Sequence, residues 1–173
     1  MKIISAIIGF ALFLAACTPE QRTEIIKGQR ESGLRSDQNQ GKKKCPNCDL
    51  SNANLANADL RDADLSGANL SGADLSKAYL RNANLSGANL SGATLIDADL
   101  GETNLTGANF TSANLTTAYL KDADITNGNF TSANLTQTRL DETNLTGANF
   151  TGAVTTETNF CLAVMPDGVK NGC

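Results

Sequence analysis

Covalent chemistry in this chain rests on five cysteines, because its 173 residues include no histidine. Cys17 closes an apolar run, Cys45-Pro46-Asn47-Cys48 forms a CxxC box, and Cys161 and Cys173 lie far downstream. A CxxC box exchanges electrons when a helix N-terminus in a thioredoxin-like setting stabilises its thiolate. It holds zinc when a second pair of ligands completes a tetrahedral site. The sequence offers neither context, so the four cysteines after Cys17 point to disulfides, for which three pairings are possible. Ser and Thr are abundant but have no partner base. The aspartates recur at a fixed spacing, so a column of them imitates a catalytic carboxylate pair. No phosphate loop or metal motif is present. The chain is expected to be no enzyme and to take no cofactor, metal or small-molecule substrate.

The same fixed spacing organises the whole middle of the chain. From residue 50 to residue 160 every fifth residue is Leu, Phe or Ile, with Thr155 as the one exception, which gives 23 pentapeptides over 48–162. Two positions before this centre, 17 of the 23 carry Ala. Asn or Asp usually sits between, as in Ala83-Asn84-Leu85-Ser86-Gly87. A period of five matches neither the 3.6 of a helix nor the 2.0 of a strand. It does fit a coil whose sides are one pentapeptide long. Each side sends one small and one large residue inward and turns at the polar pair, while the backbone bonds to the coils above and below.

These residues closely resemble the pentapeptide-repeat family. The resemblance implies an all-β fold, a right-handed quadrilateral β-helix with four pentapeptides per coil. A 20-residue super-period supports four sides independently: Asp59-Leu60, Tyr79-Leu80, Asp99-Leu100, Tyr119-Leu120 and Arg139-Leu140 each precede a charged or Asn-bearing corner. The 23 sides make between five and six coils, a rod of roughly 27 Å at a strand spacing of ~4.8 Å. The expected organisation is a signal over 1–17, a polar tether over 18–44, the β-helix over 45–162 and a capping tail over 163–173. A disulfide needs Cα atoms within ~7 Å, and the ends of such a rod are much further apart. Local pairs, Cys45 with Cys48 and Cys161 with Cys173, are therefore expected to staple the two ends.

Lys2 followed by the apolar stretch 3–16 reads as an export signal, too short for a membrane span of ~20 residues. Leu14-Ala15-Ala16-Cys17 resembles the cleavage box of bacterial lipoproteins, which implies a lipid on Cys17. Thr18 after that cysteine implies outer-membrane sorting if the envelope is Gram-negative. The expected location is the cell envelope, facing the periplasm or exterior, with the lipid as the membrane contact. The tether carries seven positive and four negative residues.

The four sides differ. One shows a nearly pure amide column: Asp49, Asn69, Asn89, Asn109, Asn129 and Asn149. The opposite one shows Asp59, Tyr79, Asp99, Tyr119 and Arg139, with Arg61, Arg81, Glu102 and Lys121 at its corner. Both tyrosines of the chain lie here, and this is the candidate interaction face for an unknown protein partner. The amide column and the Phe110, Phe130, Phe150 column are expected to be structural. Residues 48–162 hold five positive and 13 negative side chains, a net of −8, which disfavours nucleic acid as a partner. Some family members imitate DNA with an acidic rod and block type II topoisomerases; that is the alternative function to a lipid-anchored structural or interaction scaffold. A flat Thr array for ice, from Thr111, Thr131 and Thr151, is weakened by the switch to Ser in earlier coils. Replacing Cys17 with Ser should leave the protein unprocessed and out of the lipid-anchored fraction on cell fractionation. Unaltered processing and membrane retention would remove the lipoprotein reading.

Overall fold

The computed structural model describes residues 44–173; the signal, Cys17 and the tether up to residue 43 lie outside the described residues. Among the described residues there is no helix. The backbone instead forms single-residue parallel bridges between positions 20 apart, such as Asn69↔Asn89↔Asn109 and Tyr79↔Asp99↔Tyr119. Four pentapeptides therefore close one coil, and four such ladders make the four sides of a β-helix. The first bridge is Lys44↔Asp64 and the last parallel one is Asn144↔Val164. Cys45 and Met165 take the centre position of the sides that precede and follow the 23 pentapeptides, and both pack on the core.

The core is the two inward residues of each side. Leu70, Leu75, Leu80 and their successors through Leu145 are almost wholly removed from solvent, and so are most of the alanines two positions before them. Phe110 and Phe130 stack at 4.9 Å between centroids, Phe130 and Phe150 likewise at 4.9 Å. That distance is the strand spacing of ~4.8 Å, so aromatic centres pile up without changing the pitch. Four Thr residues take the small inward position. Thr103, Thr138 and Thr158 donate their hydroxyls to the carbonyls of Leu80, Leu115 and Leu135 one coil below, and Thr143 donates to Leu140 in its own coil. A buried hydroxyl with a partner is tolerated where a bare one would not be.

Each side has five backbone N–H groups, and each has a defined destination. Around Leu90, the Leu90 N–H donates to Asn109 O at 2.7 Å and the Gly92 N–H to Thr111 O at 2.9 Å, both in the coil above. The Asn89 N–H donates downward to Ala68 O, and the Ala93 N–H closes the corner turn on Leu90 O. The fifth, on Ser91, is accepted by the Asn89 side chain at 3.2 Å. Asn or Asp before the centre thus caps the corner that follows it. Where Lys44 and Val164 stand instead, proline follows two residues later, Pro46 and Pro166, and has no N–H to satisfy. The second corner residue has positive φ throughout, which Gly, Asn and Asp accept readily; other residues such as Lys77, Glu102 and Leu162 adopt it at a cost, and β-branched Thr117 at φ 58° is the most disfavoured type.

The ends are finished differently. Cys45 and Cys48 are paired, with Cα atoms 5.4 Å apart, so the bond joins the two inward positions flanking the first corner. At the other end the tail turns back: Val164 bridges Lys170 antiparallel, the Met165 N–H reaches Val169 O, and Cys161 pairs with Cys173 at a Cα separation of 4.7 Å. The tail contacts the last coil at Phe160, Cys161, Ala163 and Val164. Thr155, the one polar centre among the 23, is exposed. Leu100→Ala should cost about 2–5 kcal/mol by opening a cavity at a fully buried centre. Asn89→Ser, which can keep a weaker version of the corner cap, should cost about 1 kcal/mol or less. Equal shifts of the two in urea unfolding would refute the inward and outward assignment.

Candidate functional site

The chain bends identically at every corner, so a side chain's surroundings are set by its register. One ladder carries Asp59, Tyr79, Asp99, Tyr119, Arg139 and Asn159 in successive rungs. Its two corners add Arg61, Asp62, Lys77, Arg81, Asp97, Glu102, Lys121, Asp122, Asp141, Glu142 and Glu157. Of the charged residues in 48–162, only Asp49, Asp64, Asp74 and Asp124 lie elsewhere. The nine side chains singled out by sequence therefore share one long face.

The charges on this face engage one another. Arg61 holds Asp59 at 2.8 Å within one coil. Arg81 reaches up to Glu102 at 2.7 Å and Asp99 at 3.4 Å. Lys121 reaches Glu142 at 2.9 Å. Arg139 forks onto Asp141 through Nε at 3.1 Å and Nη2 at 3.0 Å. Each guanidinium and the Lys121 ammonium is held above its ordinary pKa by these partners: Asp59 for Arg61, Glu142 for Lys121, Asp141 for Arg139. For Arg81 the largest influence is the Tyr119 phenol, followed by Asp99. Exposed pairs of this kind each contribute about 0–1 kcal/mol, so the network orders the surface more than it stabilises the rod.

Tyr119 is the centre of that order. The Arg139 guanidinium lies 4.9 Å from its ring centroid and that of Arg81 lies 5.5 Å away. Arg81 belongs to the coil two below, and it passes over Gly101 to arrive. A Cβ on Gly101 would stand 2.9 Å from Arg81 Nη2 and 3.0 Å from Tyr119 Cε1. Gly101 does not have positive φ, so this glycine is there for space and not for conformation. It was missed in the sequence, where the signal was a glycine outside the usual corner position. Tyr79 is 44% exposed, whereas Tyr119 is half-buried beneath its two arginines.

This face also departs from the capping rule. Tyr79, Tyr119 and Arg139 cannot accept from the N–H two residues on, and among the described residues no hydrogen bond reaches the N–H of Arg81, Lys121 or Asp141. On the amide side all six rungs from Asp49 to Asn149 make the cap. There the amides also bond along the ladder: Asn89 to Asn69 at 3.4 Å and Asn109 to Asn89 at 3.2 Å. Thr111, Thr131 and Thr151 donate their hydroxyls back to the ladder amides, which occupies the groups an ice-binding array would present. Among the described residues no group of three or more His, Cys, Asp or Glu could hold a metal, and no helix is long and apolar enough to cross a membrane.

A family model described as pentapeptide repeats matches the chain in eight copies, over residues 48–87, 88–127 and 129–165. Among solved structures, HetL, a pentapeptide repeat protein involved in heterocyst differentiation regulation from the cyanobacterium Nostoc, is 31% identical, with 76% of this chain and 73% of that chain covered at a TM-score of 0.36. A pentapeptide repeat protein from the Arabidopsis thaliana thylakoid lumen is also 31% identical, with 65% and 79% covered at a TM-score of 0.50. QnrB1, a plasmid-mediated fluoroquinolone resistance protein, is 23% identical, with 74% and 68% covered at a TM-score of 0.55; that likeness is one of fold. No curated relative matches the chain in sequence.

Gly101→Ala should push the Arg81 guanidinium off Tyr119 while leaving the coil intact, because only the far ends of two side chains must move. A double-mutant cycle of Arg81→Ala and Tyr119→Ala should give a coupling of ~0.5–1 kcal/mol in the native background. It should vanish in the Gly101→Ala background; persistence of the coupling there would refute the gap.

Proposed function

The chain belongs to the pentapeptide-repeat family of right-handed four-sided β-helices, and from that premise we propose that it is an exported, lipid-anchored, non-catalytic scaffold that holds a protein partner on its Tyr79/Tyr119 face. The observation that carries this reading is the sacrifice made there. Three corner caps are given up at Tyr79, Tyr119 and Arg139, while the opposite side keeps all of its own. A neighbouring side gives up two more, at Thr94 and Val154, so the contrast lies with the fully capped opposite side; departures from such a rule are expected where function competes with folding. What the face gains is an exposed aromatic ring among mixed, ordered charges, the composition of interface centres. Lipidation at Cys17 and a place in the cell envelope are supported by the sequence of the signal. Proteins of this family generally serve as structural or interaction modules, in keeping with a role that needs no active site.

The net charge of −8 over 48–162 favours a second reading, an acidic rod that imitates DNA and inhibits a type II topoisomerase. The export signal opposes it, since that target is cytosolic. The deciding experiment is photocrosslinking from position 79 in the native envelope, with mass spectrometry of the adduct, followed by titration of the partner. Tyr79→Ala with Tyr119→Ala should leave the fold intact and weaken binding by about 1–2 kcal/mol for each ring that is a hot spot. Unchanged affinity, with loss instead from changes at Asn69, Asn89 and Asn109, would move the site to the amide side. Inhibition of DNA supercoiling by residues 45–173 at micromolar concentration would favour the second reading.

A further inference from the structure

The sequence contains two Asn-Gly steps, Asn127-Gly128 and Asn171-Gly172. At such a step the backbone nitrogen of the glycine can approach the asparagine side-chain carbon, because no Cβ stands in its way. The fold treats the two oppositely. Asn127 sits at a corner with φ 58°, and its N–H donates to Thr146 O at 2.8 Å. The Gly128 N–H is committed to Ile125 O at 2.9 Å, and Gly128 is buried. The Asn127 amide oxygen is packed over Gly147, where even a Cβ would come within 2.3 Å of it. Asn171 and Gly172 are exposed, and the Gly172 N–H makes no hydrogen bond among the described residues.

Asn171 nevertheless has a structural task. Its N–H donates to Ala163 O at 2.7 Å, and its Nδ2 donates to Phe160 O at 3.1 Å. These two bonds lay the tail over the last coil. We propose that Asn171 is a self-modification site, whose conversion to aspartate or isoaspartate loosens the C-terminal cap. The Gly172 backbone nitrogen attacks Asn171 Cγ. A carbon–nitrogen bond forms, the Cγ–Nδ2 bond breaks, and the proton of the attacking nitrogen leaves with Nδ2 as ammonia. Water then opens the cyclic imide at either carbonyl, giving aspartate or isoaspartate. The reaction is hydrolytic throughout and needs no oxidant.

The consequence follows from donor and acceptor roles. A carboxylate at 171 can only accept, so it faces the Phe160 carbonyl with repulsion where a donor had been. Isoaspartate also lengthens the backbone by one carbon and breaks the register with Ala163. The Cys161–Cys173 bond keeps the tail attached meanwhile. The neighbouring Asp167-Gly168 step is protected as Asn127 is: the Gly168 N–H donates to Met165 O at 2.8 Å and Asp167 Oδ1 accepts from the Val169 N–H at 2.9 Å.

The test is peptide mapping of the purified, oxidised full chain during incubation in warm, mildly alkaline buffer. The peptide with Asn171 should gain one mass unit and isoaspartate several-fold faster than the peptide with Asn127. Amide exchange at Met165 and Asn171 should accelerate in step with the modified fraction. Gly172→Ala should slow the conversion several-fold. Conversion at Asn127 as fast as at Asn171, indifference to Gly172→Ala, or exchange that ignores the modified fraction would each overturn the proposal.

Discussion

The structure depends on a single unmet hydrogen-bond donor per side. Of five backbone N–H groups in a pentapeptide, four are met by backbone, in the coil above, the coil below or the corner turn. The fifth needs a side chain, and only an acceptor two residues earlier can supply it. This explains the residue composition better than any surface preference does. Asn and Asp dominate the position before the centre because they cap, and after Lys44 and Val164, which cannot, Pro46 and Pro166 remove the donor. Ser and Thr follow the centre because their hydroxyls share the same carboxamide oxygen, as Thr111 does with Asn109.

The inward half of this pattern is plain in the sequence. Ala and Leu at a fixed spacing of two, recurring every five residues, mark the core, and the 20-residue recurrence of charged corners marks the four sides. Even the exception is informative, since Thr155 replaces Leu at a centre that is exposed. The outward half is less legible, because long side chains choose partners from neighbouring coils by reach. Arg61 pairs within its own coil with Asp59, but Tyr79 stands at the matching position before Arg81. Arg81 instead crosses Gly101 to Tyr119, and only the three-dimensional gap makes that path visible. The capping role of the amides was likewise hidden, because ladder stacking alone accounts for the same letters.

The two termini of the coil show the same economy with different means. The Cys45–Cys48 bond takes the place of the apolar pair that flanks other corners, where no coil lies beneath to bury one. The far end uses a hairpin and a longer disulfide loop, with Phe160, from the opposite side, meeting Phe150 edge to face. A stacked core is self-sufficient only between two neighbours, so its ends need covalent or polar closure.

The constant separation of 20 residues between bridged rungs has a kinetic side. In most β proteins the longest-range contacts grow with chain length, and folding slows as loops of increasing size must close. Here the parallel backbone bridges between coils all span the same short stretch of chain, however many coils are stacked. Any pair of adjacent coils can serve as the nucleus, and growth proceeds outward one turn at a time. Damage spreads by the same rule: a weakened coil divides the rod into two shorter stacks that can remain folded, so the protein is expected to melt in segments and not all at once.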